Sequence, residues 1–127
     1  GIEIHCLRDL TRGGLASVLI ELANTAKVHI EISESQLPIC EEVRGACEIL
    51  GFDPLYIANE GCCVVFIPQY QAETALNILH KHNAGQQATQ IGMVKDVHVT
   101  GLLTLETAMG IRRVLDLLSG EQLPRIC

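Results

Sequence analysis

Apolar residues fall at positions 15, 18, 19, 22, 23 and 26, the spacing of one helix face about four turns long, and three residues later His29-Ile30-Glu31-Ile32 alternates strictly. A helix must therefore run straight into a strand, with Ile30 and Ile32 inward. The switch of period recurs. Pro38 precedes a second helix with Val43, Ala46, Cys47 and Leu50 on one side, closed by Gly51 in a left-handed cap. Phe52-Asp53-Pro54-Leu55-Tyr56 reads as a turn feeding a short strand, interrupted at Asn59-Glu60-Gly61 and resumed from Cys62 to Ile67. Ala72, Ala75, Leu76 and Leu79 give a third helix between Tyr70 and His82, ending near Asn83 and Gly85. Strands are expected at Thr89 to Val94, His98 to Leu105 and Ile111 to Leu117, and an opening strand at Ile2 and Ile4.

This interleaving, without repeat or low-complexity tract, predicts an α/β (α+β) fold: a layered mixed β-sheet flanked by helices, with an irregular C-terminal tail. The domain is assigned to 1–119 and the tail to 120–127. At 127 residues and 48% apolar content the chain is long enough for one buried core.

The formal net charge of −6 gives no global nucleic-acid footprint. The aromatic residues are Phe52, Tyr56, Phe66 and Tyr70, too few and too scattered for a base-stacking platform. No apolar run approaches the roughly 18 residues of a membrane span, and the first residues lack the order of a signal peptide. The expectation is a soluble, cytoplasmic protein that touches neither nucleic acid nor membrane. Because the sequence starts with Gly1 inside an expected strand, it is expected to be cut from a longer polypeptide.

Six cysteines, at 6, 40, 47, 62, 63 and 127, contain no Cys-x-x-Cys, and none of the five histidines stands at a zinc spacing from them. No metal site is expected. The first five read as small, reduced core residues, with Cys62 and Cys63 on opposite faces of a strand.

Three places carry chemistry. Asp9-x-Thr11-Arg12-Gly13-Gly14 precedes the first helix, where exposed N–H groups, a guanidinium and paired glycines suit a phosphate or carboxylate. The plainer alternative is a helix capped by Asp9 or Thr11, with glycines that permit close packing. Glu60 between two apolar strands is a candidate acid or base, because desolvation there would raise its pKa; the alternative is a turn facing water. Finally, Cys127 ends the chain as a nucleophilic thiol beside its own α-carboxylate, with Arg125 to offset that charge and Pro124 to stiffen the tip. The eight residues from Gly120 span at most about 26 to 29 Å, enough for a finger carrying a covalent group between sites. An accidental terminal cysteine is the alternative.

Arg8-Asp9-Leu10-Thr11-Arg12-Gly13-Gly14-Leu15-Ala16, Ala58-Asn59-Glu60-Gly61, Ile91-Gly92-Met93-Val94 and above all Leu123-Pro124-Arg125-Ile126-Cys127 resemble the C-terminal half of the HypE family. These are hydrogenase expression/formation proteins, maturation factors for nickel–iron hydrogenases within the aminoimidazole ribonucleotide synthetase-like superfamily. The likeness covers essentially the whole chain, and its ending is the most specific part. It implies a PurM C-terminal-domain-like fold, with an N-terminal domain, absent from this sequence, that binds most of the ATP and Mg2+. It also implies that HypF, a carbamoyltransferase, places a carboxamide on Cys127, that ATP-dependent dehydration turns this into a thiocyanate, and that the cyano group passes to iron on a HypC–HypD complex. A homodimer is expected of the longer protein, and no ATP hydrolysis by the fragment alone.

On this resemblance Glu60 is the dehydration base or positions it. Asp9, Arg12 and Asn59, with Pro124 and Arg125, position substrate and tail, while Gly13 and Gly14 lie on the phosphate side. Met109-Gly110 stands where a glycine pair is expected. Two alternatives remain open: the C-terminal domain of another enzyme of the superfamily, or a dimerisation or docking module for the maturation partners.

Overall fold

The structure, a computed structural model, describes residues 1–118. Among them the order is β1 (Cys6–Leu10), α1 (Gly14–Ala26), β2 (Val28–Ser33), α2 (Glu41–Leu50), β3 (Asn59–Phe66), α3 (Ala72–Leu79), β4 (Gly92–Val97), β5 (Leu102–Glu106) and β6 (Arg112–Val114), with a short 3₁₀ turn at Pro54–Tyr56. The fold is the expected mixed α+β arrangement, but its strands divide into two sheets: an antiparallel β1–β3 pair and a four-stranded sheet ordered β4-β2-β5-β6. The second sheet is mixed, because β2 runs parallel to β5 and antiparallel to β4, while β5 and β6 are antiparallel.

Helix α1 is the centre of the core. Ala16, Leu19, Ile20 and Ala23 are buried on it, and Ile30, Ile32, Leu103 and Leu105 meet it from the four-stranded sheet. Burying each large aliphatic side chain contributes about 1.5 to 3 kcal/mol. The deepest face is displaced from the expected one: Leu15 and Leu22 are only partly buried and Ala26 is exposed, because α1 also packs against the Pro54–Tyr56 turn and β1. The other helices form as expected but bury less. On α2 only Cys47 is buried, with Val43, Ala46 and Leu50 exposed, and Gly51 takes the left-handed cap at φ 71°. On α3 no residue is fully buried.

Several expectations are corrected. The opening strand is Cys6–Leu10 rather than Ile2 to Ile4, so Asp9 is a strand residue. Neither Asp9 nor Thr11 caps α1, whose N-cap is Gly13 in the left-handed region. The segment before Asn59 is a 3₁₀ turn instead of a strand, built by Pro54 at its first position and by Asp53 Oδ1 accepting the Leu55 N–H at 3.0 Å. The last three strands are β4 at Gly92–Val97, β5 at Leu102–Glu106 and β6 at only Arg112–Val114. Of the five cysteines assigned to the core only Cys47 is buried; Cys6 is intermediate, and Cys40, Cys62 and Cys63 are exposed. A two-stranded sheet with one uncovered face leaves its outward positions in water, which is where Cys63 lies. The tail at 120–127, with Pro124, Arg125 and Cys127, falls outside the described residues.

Gly13 and Gly14 both have φ of 68° and turn the chain from β1 into α1. At Gly14 the close approach read from the sequence is made by the protein itself: a Cβ there would lie 2.5 Å from the Ile57 carbonyl oxygen and 2.6 Å from that of Leu55. Gly14→Ala is accordingly expected to combine a clash with about 1 to 3 kcal/mol of backbone strain. Denaturant titration checks this, and an unchanged midpoint would disprove it.

Candidate functional site

The β1–β3 pairing assembles the site. Arg8 lies opposite Val64 and Asp9 opposite Cys63, but Leu10 lies opposite Asn59, so Glu60, Gly61 and Cys62 form a bulge beside the Asp9–Leu10 junction. Gly61 accommodates it with φ of 78°. The expected polar interruption at 59–61 is therefore a bulge within one strand. It brings Asp9, Asn59 and Glu60 to one end of the small sheet, where β1 passes through Arg12 and Gly13 into α1. Glu60 is exposed, so the described residues do not supply the desolvation expected for it.

A cleft of about 460 Å³ opens here, lined by Arg8, Asp9, Thr11, Arg12, Val18 and Glu21. Arg8 Nη2 stands 3.2 Å from Glu21 Oε2, with both side chains substantially exposed. Such a pair contributes at most about 1 kcal/mol. Arg12 has no ion-pair partner among the described residues, which leaves its guanidinium available to an anion at the mouth of the cleft. The donor set suits a phosphoryl group rather than a metal. Among the described residues no three His, Cys, Asp or Glu side chains are grouped to hold a cation. Gly13 lies at the helix start, exposed, whereas Gly14 is buried beneath the Leu55 and Ile57 carbonyls, so its space is already filled. No helix among the described residues is long and apolar enough to cross a membrane.

Sequence reading missed the contribution of the Pro54–Tyr56 turn. Tyr56 Oη donates to the Asp116 carbonyl at 2.7 Å, and Arg113 Nη2 lies 3.3 Å from Asp53 Oδ2. Burial raises the Tyr56 pKa above the ordinary phenol value, and the Asp53 carboxylate adds to the effect. The phenol thus stays a donor. Asp-Pro was a legible turn signal, but nothing local in the sequence pairs it with residues 113–116.

With this geometry, residues 1–103 match the family described as AIR synthase related protein, C-terminal domain, and the chain belongs to that family. Within it, the likeness is to HypE. Carbamoyl dehydratase HypE of Rhodobacter capsulatus is 50% identical over 124 residues, covering 98% of this chain and 36% of that protein. A crystal structure of hydrogenase maturation protein HypE in complex with ATP superposes with a TM-score of 0.88 at 45% identity, covering 98% of this chain and 38% of that one. A HypE–HypF complex gives 0.83 at 44% identity, covering 89% and 36%. The chain thus spans little more than a third of the length of these relatives.

Proposed function

We propose that this chain is the C-terminal domain of a HypE-type carbamoyl dehydratase, with the 120–127 tail as its covalent carrier. The observation that carries the reading is the 50% identity to a carbamoyl dehydratase across 98% of the chain, joined to the terminal Leu123-Pro124-Arg125-Ile126-Cys127. The partner is a HypF carbamoyltransferase, and a HypE–HypF complex among the relatives supports this. The cyano group then goes to iron on a HypC–HypD complex, and the full-length protein works as a homodimer in the cytoplasm. ATP with Mg2+ belongs mainly to the N-terminal domain; the ATP complex of a relative supports the nucleotide.

The proposed chemistry starts with the Cys127 thiolate attacking an activated carbamoyl carbon presented by HypF: the sulfur–carbon bond forms as the bond from that carbon to its activating phosphoryl-type leaving group breaks. ATP supplies the phosphoryl group that makes the carboxamide oxygen a good leaving group. The carboxamide nitrogen bears two protons: one leaves as its oxygen is phosphorylated, with ADP released, and Glu60 removes the second as the carbon–oxygen bond breaks and the carbon–nitrogen triple bond forms, releasing phosphate. Arg12, which lines one cleft with Asp9, orients the phosphate side and the arriving tail, with Asn59 opposite Leu10 on the neighbouring strand.

The test is incubation of the full-length protein with HypF, carbamoyl phosphate and ATP, followed by peptide mass spectrometry. Carboxamide on Cys127 is the expected intermediate and thiocyanate on the same sulfur the expected product. Cys40, Cys62 and Cys63 are exposed competitors. Modification there in place of Cys127 would defeat the proposal.

A further inference from the structure

The cleft beside α1 holds a second arginine. Arg8 lines it together with Arg12 but comes from the strand: it lies opposite Val64, which is buried, so the root of its side chain stands on the face of β1 turned to the core. Its guanidinium reaches α1, where Nη2 stands 3.2 Å from Glu21 Oε2. Glu21 is its one side-chain partner among the described residues and engages one nitrogen, whereas a guanidinium carries five N–H donors in a planar fork.

Two arginines and two carboxylates, Asp9 and Glu21, line the cleft, so their formal charges cancel. An anion between the arginines is therefore favoured only if a carboxylate withdraws. Asp9 is fixed on β1 by its pairing opposite Cys63. Glu21, with a 61% exposed side chain, swings into water readily, because an ion pair as exposed as this one contributes little. A phosphoryl group is the stronger partner for Arg8, since two N–H groups of one guanidinium can grip two of its oxygens in parallel.

We infer that Arg8 is a second phosphoryl-binding residue, parked on Glu21 and handed over to a phosphoryl group that binds beside Arg12. The inference rests on the phosphoryl chemistry proposed above for this cleft. Glu21 is then a positioning residue that acts through Arg8: it holds the guanidinium at the cleft and competes with the anion for it. The competition fixes the signs. Removing the Glu21 carboxylate strengthens anion binding, and removing the Arg8 guanidinium weakens it. A purely structural pair would give no such split, because breaking it from either side loosens β1 from α1 alike.

The test treats the full-length protein with phenylglyoxal, which modifies accessible guanidinium groups, and maps the modified peptides by mass spectrometry. Inorganic phosphate is one arm and ATP the other. Neither arm needs turnover or a loaded cysteine, so the outcome is separate from the carrier reading. Modification of both Arg8 and Arg12 is expected to slow. Protection by inorganic phosphate marks the site of the departing phosphate; protection by ATP with none by inorganic phosphate marks that of the γ-phosphoryl group. Read at Arg12 in the protecting arm, Glu21→Gln is expected to lower the half-protecting concentration roughly 2- to 5-fold, and Arg8→Gln to raise it roughly 10- to 100-fold. Protection of Arg12 with Arg8 still reacting at its full rate would overturn the inference and leave Arg12 on the phosphate side. Protection of neither would overturn both. A half-protecting concentration unchanged in Glu21→Gln, or raised by both substitutions, would also overturn it, since the pair would then only hold β1 to α1.

Discussion

Cys127→Ala in the full-length protein is expected to abolish carboxamide loading completely and thiocyanate formation with it. A thiolate is the only side-chain group in the Leu123-Pro124-Arg125-Ile126-Cys127 ending that can attack a carbamoyl carbon at neutral pH. The exposed thiols elsewhere make the experiment discriminating. Cys40, Cys62 and Cys63 all face solvent, so a reaction that needed only an accessible sulfur would continue on them. The carrier mechanism needs more: a thiol on a tether that presents itself to one protein and then returns to its own active site. Ala removes the sulfur and leaves the tether, so stability and ATP binding are expected to persist. Loading measured by mass spectrometry and thiocyanate formation should fall together to background. Retained turnover in Cys127→Ala would instead favour an enzyme of the same superfamily that acts on a free substrate.

The parts of this protein that were legible in its sequence are those fixed by neighbours in the chain. Helix α1 and strand β2 follow from residues 15–32, because both periods are written locally and the αL position at Gly51 is a one-residue signal. Strand β1 was missed at Arg8-Asp9-Leu10 because its polar residues resemble a helix-capping segment. What makes it a strand is pairing with β3, more than 50 residues away. The same non-local register turns Asn59-Glu60-Gly61 from a turn into a bulge, which no local signal distinguishes. Exposure of Cys62 and Cys63 depends on how much of the two-stranded sheet is covered, a property of packing rather than of composition. Glu31 offers another case. Its side chain, 11% exposed, meets Lys95 at 3.1 Å and Arg112 at 2.9 Å from two other strands, an arrangement set entirely by sheet order. At the site, Asp9, Arg12 and Glu60 were legible as residue types; that Asp9 shares a cleft with Arg12 and lies beside the bulge holding Glu60 came from the fold.

Glu60→Gln in the full-length protein is expected to leave loading of Cys127 intact and slow dehydration by about 10²- to 10⁴-fold, the range contributed by a positioned acid or base. The substitution keeps the side chain's length and one accepting oxygen, and removes the capacity to take a proton. Its location makes it a specific test. Glu60 is exposed in a bulge beside Asp9, on a strand held in register from Asp9 to Cys6, so the change does not touch the core. The two candidate carboxylates differ in setting. Asp9 is paired into the ladder opposite Cys63, whereas Glu60 lies between the paired residues Asn59 and Cys63, where the backbone departs from the ladder. Asp9→Asn is accordingly expected to have the smaller effect on dehydration. Because a proton must leave nitrogen before phosphate can depart with the carbonyl oxygen, a base variant should accumulate the S-carboxamide form with ATP present. Mass spectrometry of the loaded tail during ATP incubation reads this directly. Thiocyanate formed at the normal rate by Glu60→Gln would move the base elsewhere, with Asp9 the next carboxylate to examine.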